Sequence, residues 1–396
     1  MLNLVSHLDS RKVTPIVVFG AYGPVVEQMR PFAETHVLPM PVALGSAKKD
    51  SLGLASLFNL RAVFGGVAYS YRLARFIRQN HVDFVHTNSL KADLIGGIAA
   101  GLSRRPVVWH VRDRIADEYL PGSVVRIFRL LCRWIPDFVI ANSESTLRSV
   151  YPANRTDKPS SLLGEGNGRS VVIHDGTLWP FPGNSTLGRN GLVRIGLIGR
   201  ISPWKGQHIF LRAAALVHQR FPETQFFIVG SALFGETEYE QRIRSLTESL
   251  GISNIVTFTG FRSDVQNAIA DMDVIVHAST IGEPFGQVII EGMAAGKPVI
   301  ATNGGGVPEI VEDGKTGILV PMGNAEAMAE AIHRVVADPV LATNMGARGR
   351  ERVRKHFTIE LKARKVEAVY QAMLSRRAYR REWSSPAANE HLPLAL

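Results

Sequence analysis

Three loops of this 396-residue chain gather residue types suited to an anionic, sugar-like ligand. The first is Arg200-Ile-Ser-Pro-Trp-Lys205-Gly206, with two cations just ahead of a helical pattern that starts near Gly206. Unpaired N–H groups at a helix start, the helix dipole and two fixed positive charges all favour an anion such as a diphosphate. Solvated loop charges are the alternative. The second loop lies in Ser279-Thr-Ile-Gly-Glu283-Pro-Phe-Gly286-Gln-Val-Ile-Ile-Glu291-Gly-Met-Ala-Ala-Gly296, which reads as a strand end, a loop, and a helix from about Gly286 to Gly296. Gly286 lets backbone approach a ligand at the helix start. Glu283 precedes the helix and Glu291 lies about one and a half turns inside it, so the two carboxylates address different parts of one extended ligand. A ribose and a hexose on either side of a diphosphate would use both; a helix cap and a surface glutamate are the alternatives. The third loop, Thr302-Asn-Gly-Gly305-Gly-Val-Pro-Glu309, has glycines that let backbone crowd a phosphate or a sugar, or simply turn.

Weaker candidates accompany these. Phe261, in Gly260-Phe-Arg-Ser263, packs either on a nucleobase or into a core. His110 ends the buried run Val107-Val-Trp-His110 and is expected to face the same cleft. Asn88, Ser89 and Lys91 are polar candidates for an acceptor side.

What positions these loops is an alternation of short β-rich runs with longer helical patterns, the mark of parallel sheets with crossover helices. The spacing predicts strands at Val13–Phe19, Val37–Met40, Phe84–Thr87, Val107–His110, Phe138–Ala141 and Val171–His174, then at Val193–Gly199, Gln225–Gly230, Ile255–Thr259, Val274–Ala278, Pro298–Ala301 and Gly317–Val320. Ligands of such sheets bind beyond the carboxyl ends of the strands, where the three loops fall. The chain therefore reads as an α/β protein: residues 1–174 one domain, 175–190 a Gly/Pro/Asn-rich linker, 191–357 a second domain, and 358–396 a terminal helix plus tail, the helix packing back on the first domain.

Composition bounds the function. Hydrophobic residues make up 45% and charged residues 20%, ordinary for a folded globular chain. The longest apolar run, Leu94–Leu102, is far short of the ~18 residues of a membrane span. Without a secretion-signal pattern at residues 1–12, and with Cys132 as the single cysteine, the sequence predicts a cytosolic chain in which the sequons at Asn154 and Asn184 are chance matches. A net charge of +10 favours polyanions, with local density at Arg126, Arg129 and Arg133 and at Arg376, Arg377, Arg380 and Arg381. No nucleic-acid signature is present. The segment Arg126–Trp134 mixes basic and apolar residues as an interfacial helix would, so peripheral contact at the inner membrane face is expected; a core helix with a basic edge reads the same way.

At these residues the sequence resembles the family-4 retaining glycosyltransferases of GT-B architecture, in which two Rossmann-like domains face each other across a cleft. The resemblance covers almost the whole chain and is most specific at Glu283-x7-Glu291 within EPFGQVIIEGMAAGKPVIAT, followed by GGVPEIVEDGKTGILV and preceded by GRISPWKGQH. It implies that Arg200 and Lys205 bind the donor diphosphate, Glu291 the ribose, and Glu283 the transferred sugar. Backbone amides at Phe285 and Gly286 would meet phosphates and sugar, and His110 would touch the donor sugar near its reacting carbon. It further implies a nucleotide-diphosphate sugar as co-substrate, no metal and no other cofactor, and a glycan or lipid-linked acceptor in surface polysaccharide or glycolipid assembly.

One departure stands out. Leu2–Leu8 reads as the end of the family's first helix and Val13–Phe19 as its second strand, so the first strand, central in such a sheet, is expected to be missing, with the true start upstream. The other reading takes Val13–Phe19 as the first strand itself. Two rivals in function remain at this level: an epimerase or hydrolase of the same architecture, and a catalytically silent nucleotide-sugar-binding protein.

Overall fold

A computed structural model describes residues 1–41, 60–152, 169–181, 191–233 and 235–383. Asn154, Asn184 and most of the expected linker lie outside the described residues, as do the side chains of Arg376, Arg377, Arg380 and Arg381. Among the described residues twelve strands fall on or beside the expected runs. They are β1 (Ile16–Phe19), β2 (Glu34–Val37), β3 (Val85–Thr87), β4 (Val107–Val111), β5 (Phe138–Ala141) and β6 (Ser170–Val172), then β7 (Val193–Ile198), β8 (Thr224–Val229), β9 (Val256–Gly260), β10 (Val274–His277), β11 (Val299–Thr302) and β12 (Ile318–Val320). The largest shift is in β2, expected at Val37–Met40. Its ladder to β1 starts at Glu34, and past Val37 only Leu38 and Met40 still donate, to Phe19 O and Gly20 O.

Every pairing between named strands is parallel. The carboxy-terminal sheet runs β12-β11-β10-β7-β8-β9. Read from β9, this is the doubly wound order in which the first strand, here β7, is central. Its strands are apolar because both faces are covered. Helices Gln207–Arg220 and Ala325–Ala337 cover one face through Phe210, Val217, Met328 and Ile332. Helix Gln287–Ala294 covers the other through Ile289, Ile290 and Met293.

The amino-terminal strands divide into a two-stranded sheet, β1-β2, and a four-stranded sheet, β3-β4-β5-β6. Among the described residues β1 pairs only with β2, so it is not a central first strand, and a groove of about 790 Å³ separates it from β3. Helix Ile359–Trp383 crosses back onto this half, where Val366, Val369, Tyr370 and Met373 pack with Val108, Ile140 and Ile173. Helix Gly122–Trp134 buries Val125, Phe128 and Cys132 and turns Ile127, Leu130 and Trp134 outward beside Arg126 and Arg133. Among the described residues no helix is long and apolar enough to cross a membrane.

Candidate active site

The loop after β7 is pinned against the end of β10. Gly206 has φ 71°, and a Cβ there would lie 1.9 Å from Ala278 O, so only glycine permits the approach. Trp204 O accepts from Thr280 N at 2.8 Å. This junction sets Lys205 against Glu283, whose Oε1 takes an ion pair from Lys205 Nζ, a hydrogen bond from Ser279 Oγ at 2.7 Å, and lies 3.2 Å from His277 Nε2. Burial opposes ionisation of Glu283, but the Lys205 charge, then His277, hold the carboxyl well below the usual range. All three contacts fall on Oε1 and none on Oε2. Lys205 Nζ also lies 4.4 Å from the Trp204 ring centre, with the Arg200 guanidinium 5.8 Å from the same ring.

The second and third loops form one unit. Glu283 and Gly305 make a parallel bridge, Gly306 N donates to Glu283 O at 2.8 Å, and Gly305 has φ 64° with no room for a Cβ, which would lie 1.9 Å from Glu283 O. Gly286 precedes helix Gln287–Ala294 as expected, while the Phe285 ring is buried in the core and stacks on His174. Inside that helix Glu291 accepts from Gln287 Nε2 at 2.9 Å; burial pushes its carboxyl up to about 7, only partly offset by Gln287. Phe261 is 74% exposed after β9, so it does not fill a core.

His110, expected to face the cleft, is instead fully buried, with 0% exposure. Alternation along β4 points Val108 and His110 to the face covered by helix Ile359–Trp383, where His110 Nδ1 lies 3.2 Å from His86 Nε2 and Tyr370 OH lies 2.7 Å from His86 Nδ1. Burial, reinforced by Lys362, holds the His110 ring well below the usual histidine range, so it is neutral. Asn88 and Lys91 line the groove beside β3, which amino-terminal residues alone enclose, and they do not join the Glu283 loops.

Several residues that hold these loops in place escaped the sequence reading. His277 and Ser279, at the end of β10, orient Glu283. Across the cleft, Arg114 Nη1 donates to Gly282 O at 3.2 Å and Ser143 Oγ to Pro284 O at 2.5 Å. The Glu309 carboxylate accepts from the N–H groups of Glu144 and Ser145 at 2.8 and 2.9 Å and lies 2.9 Å from His174 Nε2. One half thus caps a helix of the other and holds the cleft together. Asp175 anchors the amino-terminal wall, ion-paired to Lys362 at 2.6 Å and to Arg112 at 2.8 Å. Among the described residues no group of three or more His, Cys, Asp or Glu side chains is arranged to hold a metal.

Known proteins resemble this chain in both halves. Residues 189–352 match the model of glycosyl transferases group 1, and residues 1–158 that of glycosyltransferase family 4. The capsular polysaccharide biosynthesis glycosyltransferase CapM of Staphylococcus aureus is 27% identical over 349 residues, covering 86% of this chain and 85% of CapM. The lipopolysaccharide core biosynthesis glycosyltransferase LpsE of Rhizobium meliloti (strain 1021) is 35% identical over 163 residues, 41% of this chain and 45% of LpsE, so that match spans less than half of the relative. Anabaena HepE, solved in complex with UDP and glucose, superimposes with a TM-score of 0.77 at 25% identity over 94% of both chains. With one model matched in each half and two Rossmann-like domains of the GT-B type, the chain belongs to the group 1, family 4 glycosyltransferases.

Proposed function

We propose that the chain moves a hexosyl group, with retention of configuration and without a metal, from a nucleotide-diphosphate sugar to a glycan or lipid-linked acceptor in surface polysaccharide or glycolipid assembly. The observation that carries this reading is Glu283, a buried carboxylate fixed through Oε1 by Lys205 and Ser279, with Oε2 left for sugar hydroxyls. Arg200, Lys205 and the start of helix Gln287–Ala294 would face the diphosphate, and Glu291 the ribose. As the bond from the anomeric carbon to the phosphate oxygen breaks, negative charge grows on the leaving diphosphate, where fixed cations stabilise it most. The acceptor oxygen bonds to that carbon on the same face and its proton passes to the departing phosphate. The HepE complexes with UDP and with UDP-glucose support a uridine donor.

Calorimetric titration of uridine, guanosine and adenosine diphosphate sugars, with chelator present, tests the donor site. Saturable binding of one donor, weakened at least tenfold by Glu291→Ala, is expected; a folded chain that binds none overturns the reading. Binding without transfer to any acceptor would favour the silent alternative, for which the divided amino-terminal sheet is the supporting observation. Peripheral contact with an anionic membrane is proposed on the outward Ile127, Leu130 and Trp134 flanked by Arg126 and Arg133. Sedimentation with phosphatidylglycerol vesicles at low salt should capture the chain and lose it on Trp134→Ala; equal capture of both chains would refute this surface.

A further inference from the structure

Between the two halves lies a pocket of about 570 Å³, a size suited to a small molecule or one end of a larger one. Arg114, Arg129, Ser145 and Arg148 line it from the amino-terminal half, and Gly305 and Pro308 from the carboxy-terminal half. None of Arg200, Lys205, Glu283 and Glu291 lines it, so it is distinct from the surface assigned above to the donor.

How the charges around it are committed decides what it can hold. The Arg114 guanidinium is paired with Glu118 at 2.9 Å and donates to Gly282 O through the same Nη1. Both oxygens of Glu309 are taken, by the amides of Glu144 and Ser145 and by His174. Arg129 differs. Its Nε donates to Ser149 O at 2.8 Å and its Nη2 to Ile115 O at 2.9 Å, so two carbonyls fix the fork of a half-buried guanidinium that no carboxylate neutralises. Arg148 is exposed and makes no hydrogen bond or ion pair among the described residues. Glu144, four residues earlier on the same short helix, is uncommitted as well, yet the two do not pair. Two guanidiniums against one carboxylate leave the pocket positive, and the desolvation of Arg129 is a cost that an incoming anion removes. Arginine forks match the oxygens of phosphates and carboxylates in bidentate geometry.

The pocket also adjoins the loop that carries Glu283. A Cβ at Gly282 would lie 2.0 Å from Arg114 Nη1, and Gly305, on the pocket wall, bridges to Glu283. A group held there lies against the back of that loop, with all three arginines supplied by the amino-terminal half.

We propose that this pocket binds an anionic group, a phosphate or a carboxylate, carried by the acceptor, with Arg129 and Arg148 as its forks and the Ser145 hydroxyl as a further donor. The anion rests on the pocket alone; its attachment to an acceptor rests on the function proposed above.

Calorimetric titration at low salt with glucose 1-phosphate and with methyl glucuronide separates the two anions, with methyl glucoside as the neutral control and inorganic phosphate as the free ion. One anionic sugar should bind saturably and methyl glucoside should not. Binding should weaken at least tenfold with Arg148→Ala and at about 0.5 M salt, recover in part with Arg148→Lys, and stay within twofold with Lys205→Ala, which removes a cation of the loop after β7. Arg148 is the residue to replace because it is exposed, whereas Arg129 holds Ile115 and Ser149 in place. A folded chain that binds neither anionic sugar, binding that Arg148→Ala leaves unchanged, or binding that Lys205→Ala abolishes would overturn the site. Inorganic phosphate binding as tightly as the better anionic sugar would overturn its assignment to an acceptor. Donor titration reads separately: a chain that binds a nucleotide-diphosphate sugar but no anionic sugar loses this inference alone, and one that binds the anionic sugar but no donor keeps the anion site and loses the acceptor.

Discussion

The two halves of this chain each hold a buried carboxylate in a cage of cations and polar groups near the carboxyl ends of a parallel sheet. In the carboxy-terminal half it is Glu283, held by Lys205, Ser279 and His277. In the amino-terminal half it is Asp175, held by Lys362 and Arg112, with Asn142 Nδ2 at 3.3 Å. The cages differ in how their charges are committed. Both oxygens of Asp175 are bound by protein, Oδ1 by Lys362 and Oδ2 by Arg112 and Asn142. In Glu283 the contacts converge on one oxygen, and Lys205 keeps 21% of its side-chain surface open. A carboxylate saturated by its own chain holds a structure together, whereas one bound on a single side is prepared for a ligand. The sheets differ too, since the six-stranded one carries the Glu283 loops and the divided one the Asp175 ion pairs.

Removing the charge from each carboxylate should separate the two roles, and this is the largest effect expected. Glu283→Gln should lower turnover about 10²–10³-fold with little change in Tm, because Lys205 reaches solvent when released. Asp175→Asn strands the buried Lys362 and should cost about 3–5 kcal/mol of stability, while the chain that remains folded still binds donor. Equal loss of stability in both variants, read by thermal unfolding beside an activity assay, would erase the distinction.

A smaller effect sharpens it within the carboxy-terminal half. Glu291 titrates near 7 in the folded chain because burial disfavours its charge, against about 4.5 for an unhindered glutamate. The native state therefore holds a proton that the unfolded chain has already released. This contribution to stability is complete below about 4.5 and is lost as pH rises through about 7. Glu291→Gln should be more stable than the parent at pH 8, by on the order of 1 kcal/mol, and equal to it at pH 4.5. Donor affinity of the parent should rise with pH through 7, as an ionised acceptor becomes available to ribose hydroxyls, and should be flat in the variant. A parent whose affinity is independent of pH between 6 and 8 would remove Glu291 from the donor site.

The sequence by itself determined the strand succession and the three glycine-bearing loops that leave β7, β10 and β11. Parallel strands covered on both faces must be written as unbroken apolar runs, and their exits as glycine-rich turns, so both features are local and visible. Tertiary structure alone decided which groups meet. Lys205 reaches Glu283 across 78 positions and Glu309 caps Glu144 across 165, separations at which no periodicity survives. His110 shows the limit most clearly. Its place at the end of a strand suggested a cleft, but the helix that covers it, Ile359–Trp383, arrives from the far end of the chain and turns that face into core.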